Sequence, residues 1–158
     1  MPRRPYKRVP VKPDSIYNSL EVAKLINYVM KDGKKSVAER LVYDAFDSIK
    51  ELQKTDPLTV LHKAVEQVAP NHEVKPKRVG GASYLVPSET RPTRRIFLAL
   101  NWILNAALAR SNKEYRSTDK KLATELIEAS QGLGEAVNKK KQVEKLAEAN
   151  KAFAHFKW

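Results

Sequence analysis

The sequence predicts a mainly α fold, a single-domain bundle of six helices with a two-stranded β-hairpin that protrudes between helices three and four. Three observations predict it. The chain has 158 residues, of which 42% are hydrophobic, and this supports one core. Apolar residues recur at helical spacing along most of the chain. The stretch "KPKRVGGASYLVP" places two strand-like arms around paired glycines, which is the pattern of a tight hairpin turn.

The first two elements are an arm and a helix. Residues 1–13 contain four prolines and five bases but no acid, so we expect them to be extended and disordered until they bind a partner. The first helix follows from Ser19, because apolar residues then lie three and four positions apart. These residues are Val22, Leu25, Ile26, Val29 and Met30.

Start signals predict the second and third helices. Gly33 interrupts the first helical pattern, and Ser36 with Glu39 is typical of a capping box at the start of the second helix. The inward positions of the second helix are predicted to be Leu41, Val42, Ala45, Ile49 and Leu52. Asp56 before Pro57 predicts an N-cap followed by proline at the first position of the third helix.

The hairpin is predicted over about residues 72–89. Gly80 and Gly81 accept the positive φ angles of a two-residue turn. Pro76 and Pro87 each remove a ladder donor and so disfavour edge pairing with other chains. Because the hairpin interrupts the helices, it cannot join a larger sheet. A two-stranded ribbon is marginal alone, and we therefore expect support at its base and a free tip.

Three further helices complete the bundle. Arg91-Pro92 opens the fourth, which is the most hydrophobic and is predicted to be central. The fifth is predicted over about 119–130 and the sixth over about 135–149, so the helical body spans 14–149. The tail, 150–158, ends in aromatic residues for which partner contact and disorder are the two expectations. They are Phe153, Phe156 and Trp158, together with His155.

The charge predicts a polyanionic partner. Lysine and arginine number 30 against 18 acids, a net charge of +12. Phosphate neutralisation by such residues is the main source of non-specific nucleic-acid affinity. Residues 70–121 alone carry eleven bases and four acids, or +7, whereas residues 14–69 carry eight bases and nine acids. The pattern is that of a folded body with several contact surfaces, although a soluble protein that is merely basic is the alternative.

Three clusters are candidate phosphate sites. Arg91, Arg94 and Arg95 crowd a helix N-terminus, where cations oppose the helix dipole unless an anion binds there. Lys34-Lys35 precede the second helix, and binding or a solvated turn are equally compatible with them. The run 139–141 is three lysines, for which a solvated helix face is as good an explanation; at least one of the three must point towards the body.

The sequence does not favour an enzyme or a metal protein. It has no cysteine, and its three histidines do not share metal-ligand spacing. Asp44 and Asp47 are better explained as the solvated face of an amphipathic helix than as a catalytic pair. No cofactor, small-molecule substrate or metal is expected. No apolar run approaches membrane-spanning length, and the start of the chain lacks the apolar stretch of a signal peptide.

Four segments together resemble a known family. They are "VMKDGKKSVAERLVYDAF" (29–46), "HEVKPKRVGGASYLVP" (72–87), "RPTRRIFLALNWI" (91–103) and "AEANKAFAHFKW" (147–158). Their order and spacing resemble the bacterial-type small-subunit ribosomal protein seven family over essentially the whole chain. The resemblance implies a helical bundle with a protruding ribbon between the third and fourth helices.

The resemblance also implies a function. Members bind the 3′ major domain of small-subunit rRNA and nucleate assembly of the subunit head. Their ribbon and carboxy-terminal helix face exit-site tRNA and mRNA, near the small-subunit proteins nine and eleven. The implied rRNA-binding residues are Arg3, Arg4, Lys7, Arg8, Lys34, Lys35, Lys75, Lys77, Arg78, Arg91, Arg94, Arg95, Arg110, Lys113 and Arg116. The implied tRNA- and mRNA-facing residues are Gly80, Gly81, Ala82, Lys139, Lys140, Lys141 and Lys151.

The resemblance implies a cytoplasmic, ribosome-bound protein; an organellar ribosome is equally compatible. Two other functions compete on residue chemistry. An architectural DNA-binding protein with a ribbon arm is the first, but its tip would need an apolar wedge where this chain has glycine. A metal-dependent nuclease using Asp44 or Asp47 is the second.

Overall fold

The computed structural model describes residues 11–156. Its elements are α1 (Leu20–Val29), α2 (Lys35–Gln53), α3 (Pro57–Val68), β1 (His72–Val79), β2 (Ala82–Glu89), α4 (Pro92–Ala109), α5 (Thr118–Ser130), α6 (Glu135–Ala149) and a short 3-10 helix (Lys151–Phe156). The predicted order of helices, with one hairpin between the third and fourth, is confirmed. The 3-10 helix lies in the segment that was predicted only as a tail. Within the described residues, no helix is long and apolar enough to cross a membrane.

The helix starts follow the predicted signals except in α2. Asp56 accepts a hydrogen bond from the Thr59 amide at 3.3 Å, with proline next in the chain. The capping box predicted for Ser36 and Glu39 is wrong: α2 begins at Lys35, and its first turn has no side-chain cap. A tight turn through Asp32 and Gly33, both at positive φ, places Lys34 at the N-cap, so the helix starts two residues earlier than predicted and Ser36 lies inside its first turn.

The core lies around two helices rather than one. α5 packs against α2, α3, α4 and α6, and α4 packs against α1, α3, α5 and α6. The prediction that α4 is central therefore holds only in part. Phe46 from α2 and Leu126 from α5 are fully buried in this core. The inward position predicted for Leu52 is wrong, because its side chain is 70% exposed in the last turn of α2.

A buried carboxylate anchors the segment before α1. Asp14 accepts hydrogen bonds from the Ile16 amide (3.1 Å), the Tyr17 amide (2.9 Å) and the Tyr43 hydroxyl (2.7 Å). Burial alone would raise the pKa of Asp14, but these bonds outweigh it and hold the pKa below its usual value. The same burial and the bond to Asp14 raise the pKa of Tyr43 to about 12.

We expect Asp14→Asn to lower the free energy of unfolding by about 1–2 kcal/mol at neutral pH, because a charged acceptor is lost. Since the folded pKa is depressed, the stabilisation is present above the unfolded pKa and is lost as pH falls through the folded value. Urea unfolding of the wild-type protein and of Asp14→Asn should show that the difference between their free energies of unfolding becomes smaller below about pH 4. A difference in free energy of unfolding that does not depend on pH would contradict the stabilising role of the ionised Asp14 carboxylate.

The ribbon has the predicted register and turn. Val79 pairs with Ala82 across Gly80 and Gly81, whose φ angles are +56° and +89°. Both positions therefore need the left-handed conformation that glycine accepts. Near the base, Val86 is buried against the body, and α6 packs on both strands. The prediction of a supported base and an exposed tip is confirmed.

Candidate nucleic-acid interface

The start of α4 presents three arginines. Arg91 occupies the N-cap position, and the first turn contains no acidic residue. The amides of Arg94 and Arg95 each bond to the Arg91 carbonyl at 2.9 Å. The guanidiniums, more than free amides, are therefore the groups that remain for a phosphate. The Nε atom of Arg95 is buried and has no hydrogen-bond partner among the described residues, which leaves a donor unfilled at this point.

A carboxylate at the ribbon base partly neutralises this cluster. Glu73 lies 2.8 Å from the Lys75 ammonium and 3.2 Å from Arg94 Nε. Lys75 and Arg94 therefore already have an internal counter-charge. Burial alone would raise the pKa of Glu73, but its bonds to Lys75 and Arg94 hold it below the usual value. Within the described residues, Arg91 and Arg95 have no carboxylate within 4.0 Å.

Aromatic contacts join this cluster to the loop between α1 and α2. The Arg94 guanidinium lies over the Phe97 ring, 4.9 Å from its centre. Phe97 in turn makes an edge contact with Tyr28 near the end of α1. Tyr28 lines a groove together with Lys31 and Lys34 of the following loop. Two clusters that are far apart in the sequence therefore belong to one surface.

The loop between α4 and α5 completes this surface. Thr118, at the start of α5, lines the same groove as Lys34, and the loop before it exposes Lys113 and Arg116. We define the basic face as the bases at the start of α4, at the ribbon base, in the α1–α2 region and in the α4–α5 loop. Its members are Lys31, Lys34, Lys35, Lys75, Arg91, Arg94, Arg95, Lys113 and Arg116.

An internal ion-pair network holds that loop. Arg110 donates to Glu125 through Nε at 2.9 Å and also bonds to Glu128. Burial alone would lower the pKa of Arg110, but the two carboxylates raise it above its usual value. Lys121, also buried, donates to the Arg110 carbonyl and to Asn112. The prediction that Arg110 binds rRNA stays a prediction, but its guanidinium already has internal acceptors, so we do not include it in the basic face.

The ribbon carries two more basic residues, and their structural environments differ. Arg78 is exposed near the tip. Lys77 donates to the Phe156 carbonyl at 3.2 Å and so ties β1 to the 3-10 helix. The tip residues Gly80, Gly81 and Ala82 are exposed.

Aromatic packing fixes the 3-10 helix on the ribbon. The Tyr84 ring lies 5.2 Å from that of Phe153 and 5.4 Å from that of Phe156. The expectation of disorder is therefore wrong for Phe153 and Phe156, whereas partner contact by these aromatics stays a prediction. Trp158 lies outside the described residues, as do the predicted rRNA-binding residues Arg3, Arg4, Lys7 and Arg8.

We expect Tyr84→Ala to release the 3-10 helix from the ribbon, because both aromatic contacts depend on this one ring. Amide hydrogen exchange of residues 151–156 should rise at least about tenfold, while exchange in α5 stays unchanged. Leu85→Ala, next in the same strand and 40% exposed, is the matched control. Equal protection in the two variants would contradict the cluster's role.

The lysine run of α6 divides between the body and solvent. Lys140 donates to the Gln67 carbonyl at 2.9 Å, near the C-terminal end of α3, where a cation also complements the helix dipole. Lys139 and Lys141 are exposed. The prediction that at least one of the three points to the body is confirmed. Lys151 is exposed at the start of the 3-10 helix.

His62, Asp44 and Asp47 are the titratable residues that bear on the metal-site and nuclease alternatives. No group of three or more histidine or acidic residues between 11 and 156 is placed to hold a metal ion. His62 lies 2.8 Å from Glu21 and joins α3 to α1. Asp44 and Asp47 are exposed, and Asp47 pairs with Lys50, as expected for a solvated helix face.

The sequence of this chain is similar to those of known proteins. The sequence model of the family described as ribosomal protein S7p/S5e matches residues 1–151. Similar proteins include the small ribosomal subunit protein uS7 of Carboxydothermus hydrogenoformans, which is 53% identical, and that of Dictyoglomus turgidum, which is 51% identical. The uS7 protein of Thermotoga neapolitana is 50% identical. In all three, the alignment covers the whole of both chains.

Proposed function

The chain belongs to the ribosomal protein S7p/S5e family, and from that premise we propose that it binds the 3′ major domain of small-subunit rRNA through its basic face and nucleates assembly of the subunit head. As a member of this family it is a structural, non-enzymatic protein of the small ribosomal subunit. We place it on ribosomes in the bacterial cytoplasm.

The observation that carries the proposal is the start of α4. Arg91 and Arg95 stand at a helix N-terminus without a neighbouring carboxylate among the described residues, and the Arg95 Nε atom lacks an acceptor. Phosphate oxygens supply the negative charge that these guanidiniums lack and that the helix dipole favours. Because the face continues to the α1–α2 loop and the α4–α5 loop, it is suited to contact separate RNA helices at a junction. Structured RNA is recognised through such shape and phosphate contacts.

The ribbon and the carboxy-terminal elements have a second part in the proposal. The exposed tip, from Gly80 to Ala82, and the exposed bases Lys139, Lys141 and Lys151 face exit-site tRNA and mRNA. The small-subunit proteins nine and eleven are its proposed neighbours there. A glycine tip supports this assignment, because a backbone without Cβ atoms can approach another backbone closely.

A competition experiment tests the proposal. The full-length protein is bound to a labelled, junction-containing fragment of the 3′ major domain, and unlabelled duplex DNA or unlabelled fragment is added at the same salt concentration. We expect the fragment to compete at least about a hundredfold better than DNA, since shape-specific contacts add to the shared phosphate term. Equal competition would overturn the rRNA assignment and favour the architectural DNA-binding alternative.

Removal of the ribbon tip separates its two proposed roles. We expect a variant in which residues 78–83 are replaced by a two-residue Asn-Gly turn to bind the rRNA fragment with unchanged affinity, because the basic face is intact. Subunits reconstituted with this variant should then show altered chemical protection in the exit-tRNA region. Lost binding of the fragment would instead show that the ribbon tip anchors the protein on rRNA.

A further inference from the structure

The groove beside the α1–α2 loop is a candidate binding site of its own. It has a volume of about 300 Å3 and lies between that loop, the start of α2 and the second half of α4. Ala38, Leu41 and Leu104 line its inner part. This size and apolar lining fall at the lower end of the range for small-molecule pockets.

The rim of the groove is apolar where solvent reaches it. Val37 and Leu108 both line it, and they are 61% and 42% exposed. No side chain of residues 11–156 covers them in the structure. An apolar rim that continues into an apolar interior favours an occupant with a flat or apolar surface.

The charge at the rim selects the kind of occupant. Lys31 and Lys34 line the groove, and neither has a carboxylate within 4.0 Å among the described residues. Asp32 is the acidic residue of the lining. An apolar helix of a partner protein would leave the two lysines without acceptors, whereas a nucleic-acid strand supplies a phosphate on each side of every base.

Polar side chains also line the groove. They are the hydroxyl-bearing residues Tyr28, at the end of α1, and Thr118, at the start of α5, which are far apart in the sequence. Neither hydroxyl makes a hydrogen bond to another described residue. Hydroxyl groups both donate and accept, so they can satisfy the edge of a nucleobase whose faces contact the apolar walls.

We infer that this groove holds the base of one unpaired RNA nucleotide, with Lys31 and Lys34 bonding to the phosphates on either side of it. Bases splayed out of loops and bulges are the usual targets of such slots, because each base has apolar faces and a polar edge. The inference rests on the proposed function, since it assigns to one part of the basic face a contact with a base in addition to phosphate.

Two matched substitutions test the inference without changing charge. Val37→Gln places a polar group on the groove rim, and Leu52→Gln makes the same kind of change at a 70% exposed position elsewhere on α2. We expect Val37→Gln to weaken binding of the rRNA fragment about tenfold and Leu52→Gln to leave it unchanged. Thermal unfolding of both variants checks that the fold is retained.

Photocrosslinking then identifies the occupant. A benzophenone amino acid is placed at position 37, or at position 52 as the control, and the complex with the rRNA fragment is irradiated. We expect one nucleotide to crosslink from position 37 alone. Removing only the base of that nucleotide should weaken binding to the wild-type protein about tenfold but leave binding to Val37→Gln almost unchanged.

The outcomes separate the two proposals. If the wild-type protein binds the fragment but Val37→Gln binds equally well, the groove inference is wrong and the proposed function stands. If position 37 crosslinks to a protein in reconstituted subunits and not to RNA, the occupant is a protein and the inference is likewise wrong. If the wild-type protein shows no preference for the fragment, the proposed function fails and the groove inference fails with it.

Discussion

Replacement of Arg110 by methionine (Arg110→Met) should lower the free energy of unfolding by about 3 kcal/mol. The reason is that the substitution leaves the Glu125 carboxylate buried without its cationic partner. Glu125 is fully buried, and without the guanidinium its carboxylate keeps only the Ala136 amide, at 3.1 Å, as a hydrogen-bond donor. A buried charge without compensation costs far more than an exposed one. Urea unfolding at neutral pH measures the effect as a shift of the midpoint.

Arg116→Met is the matched control for this prediction. Arg116 lies in the neighbouring loop and is exposed, so its replacement should change stability by less than about 0.5 kcal/mol. A loss of under about 1 kcal/mol in Arg110→Met would contradict the structural role of the network.

RNA binding by the same variant settles the second role predicted for Arg110. At urea concentrations below the unfolding transition, we expect the dependence of affinity on salt to be unchanged, because Glu125 and Glu128 already accept hydrogen bonds from the guanidinium. A slope lower by about one unit would show that Arg110 contacts rRNA, as the sequence-based prediction holds.

The double substitution Arg91→Gln with Arg95→Gln should weaken binding of the rRNA fragment about a hundredfold. Each lost charge-assisted bond to phosphate is expected to contribute about a factor of ten. The slope of log affinity against log salt should also fall by about 1.5 units, since two phosphate contacts are removed. Titrations at several salt concentrations measure both quantities.

A substitution that should raise the affinity for RNA complements this prediction. Glu73→Gln removes the carboxylate that pairs with Lys75 and Arg94, so both bases become available and affinity should rise. Replacing Lys54 and Lys63 by glutamine removes the same charge as the double arginine variant, but at exposed positions outside the basic face. If the lysine pair weakens binding as much as the arginine pair does, net charge rather than a defined face explains the affinity.

The elements of the fold could be predicted because their causes are local. Helical spacing of apolar residues, the Asp56-Pro57 start signal and the paired glycines of the ribbon each act within a few residues, and the structure has an element at each place. The excess of bases and the crowded arginines at the start of α4 are likewise visible in the sequence. Family membership, too, follows from the order and spacing of short segments.

The pairing of charges could be decided only by the tertiary structure. Arg95 and Arg110 are both arginines and cannot be told apart from the sequence. In the structure, the Nε atom of Arg95 has no hydrogen-bond acceptor, whereas Arg110 forms an ion pair with a residue 15 positions away. Asp14 meets Tyr43 across 29 positions, and Lys77 meets Phe156 across 79. The groove, too, exists only because three separate segments meet. Periodicity reports which face of an element is apolar, but it does not report which element lies opposite, and that neighbour decides whether a charge is left for RNA.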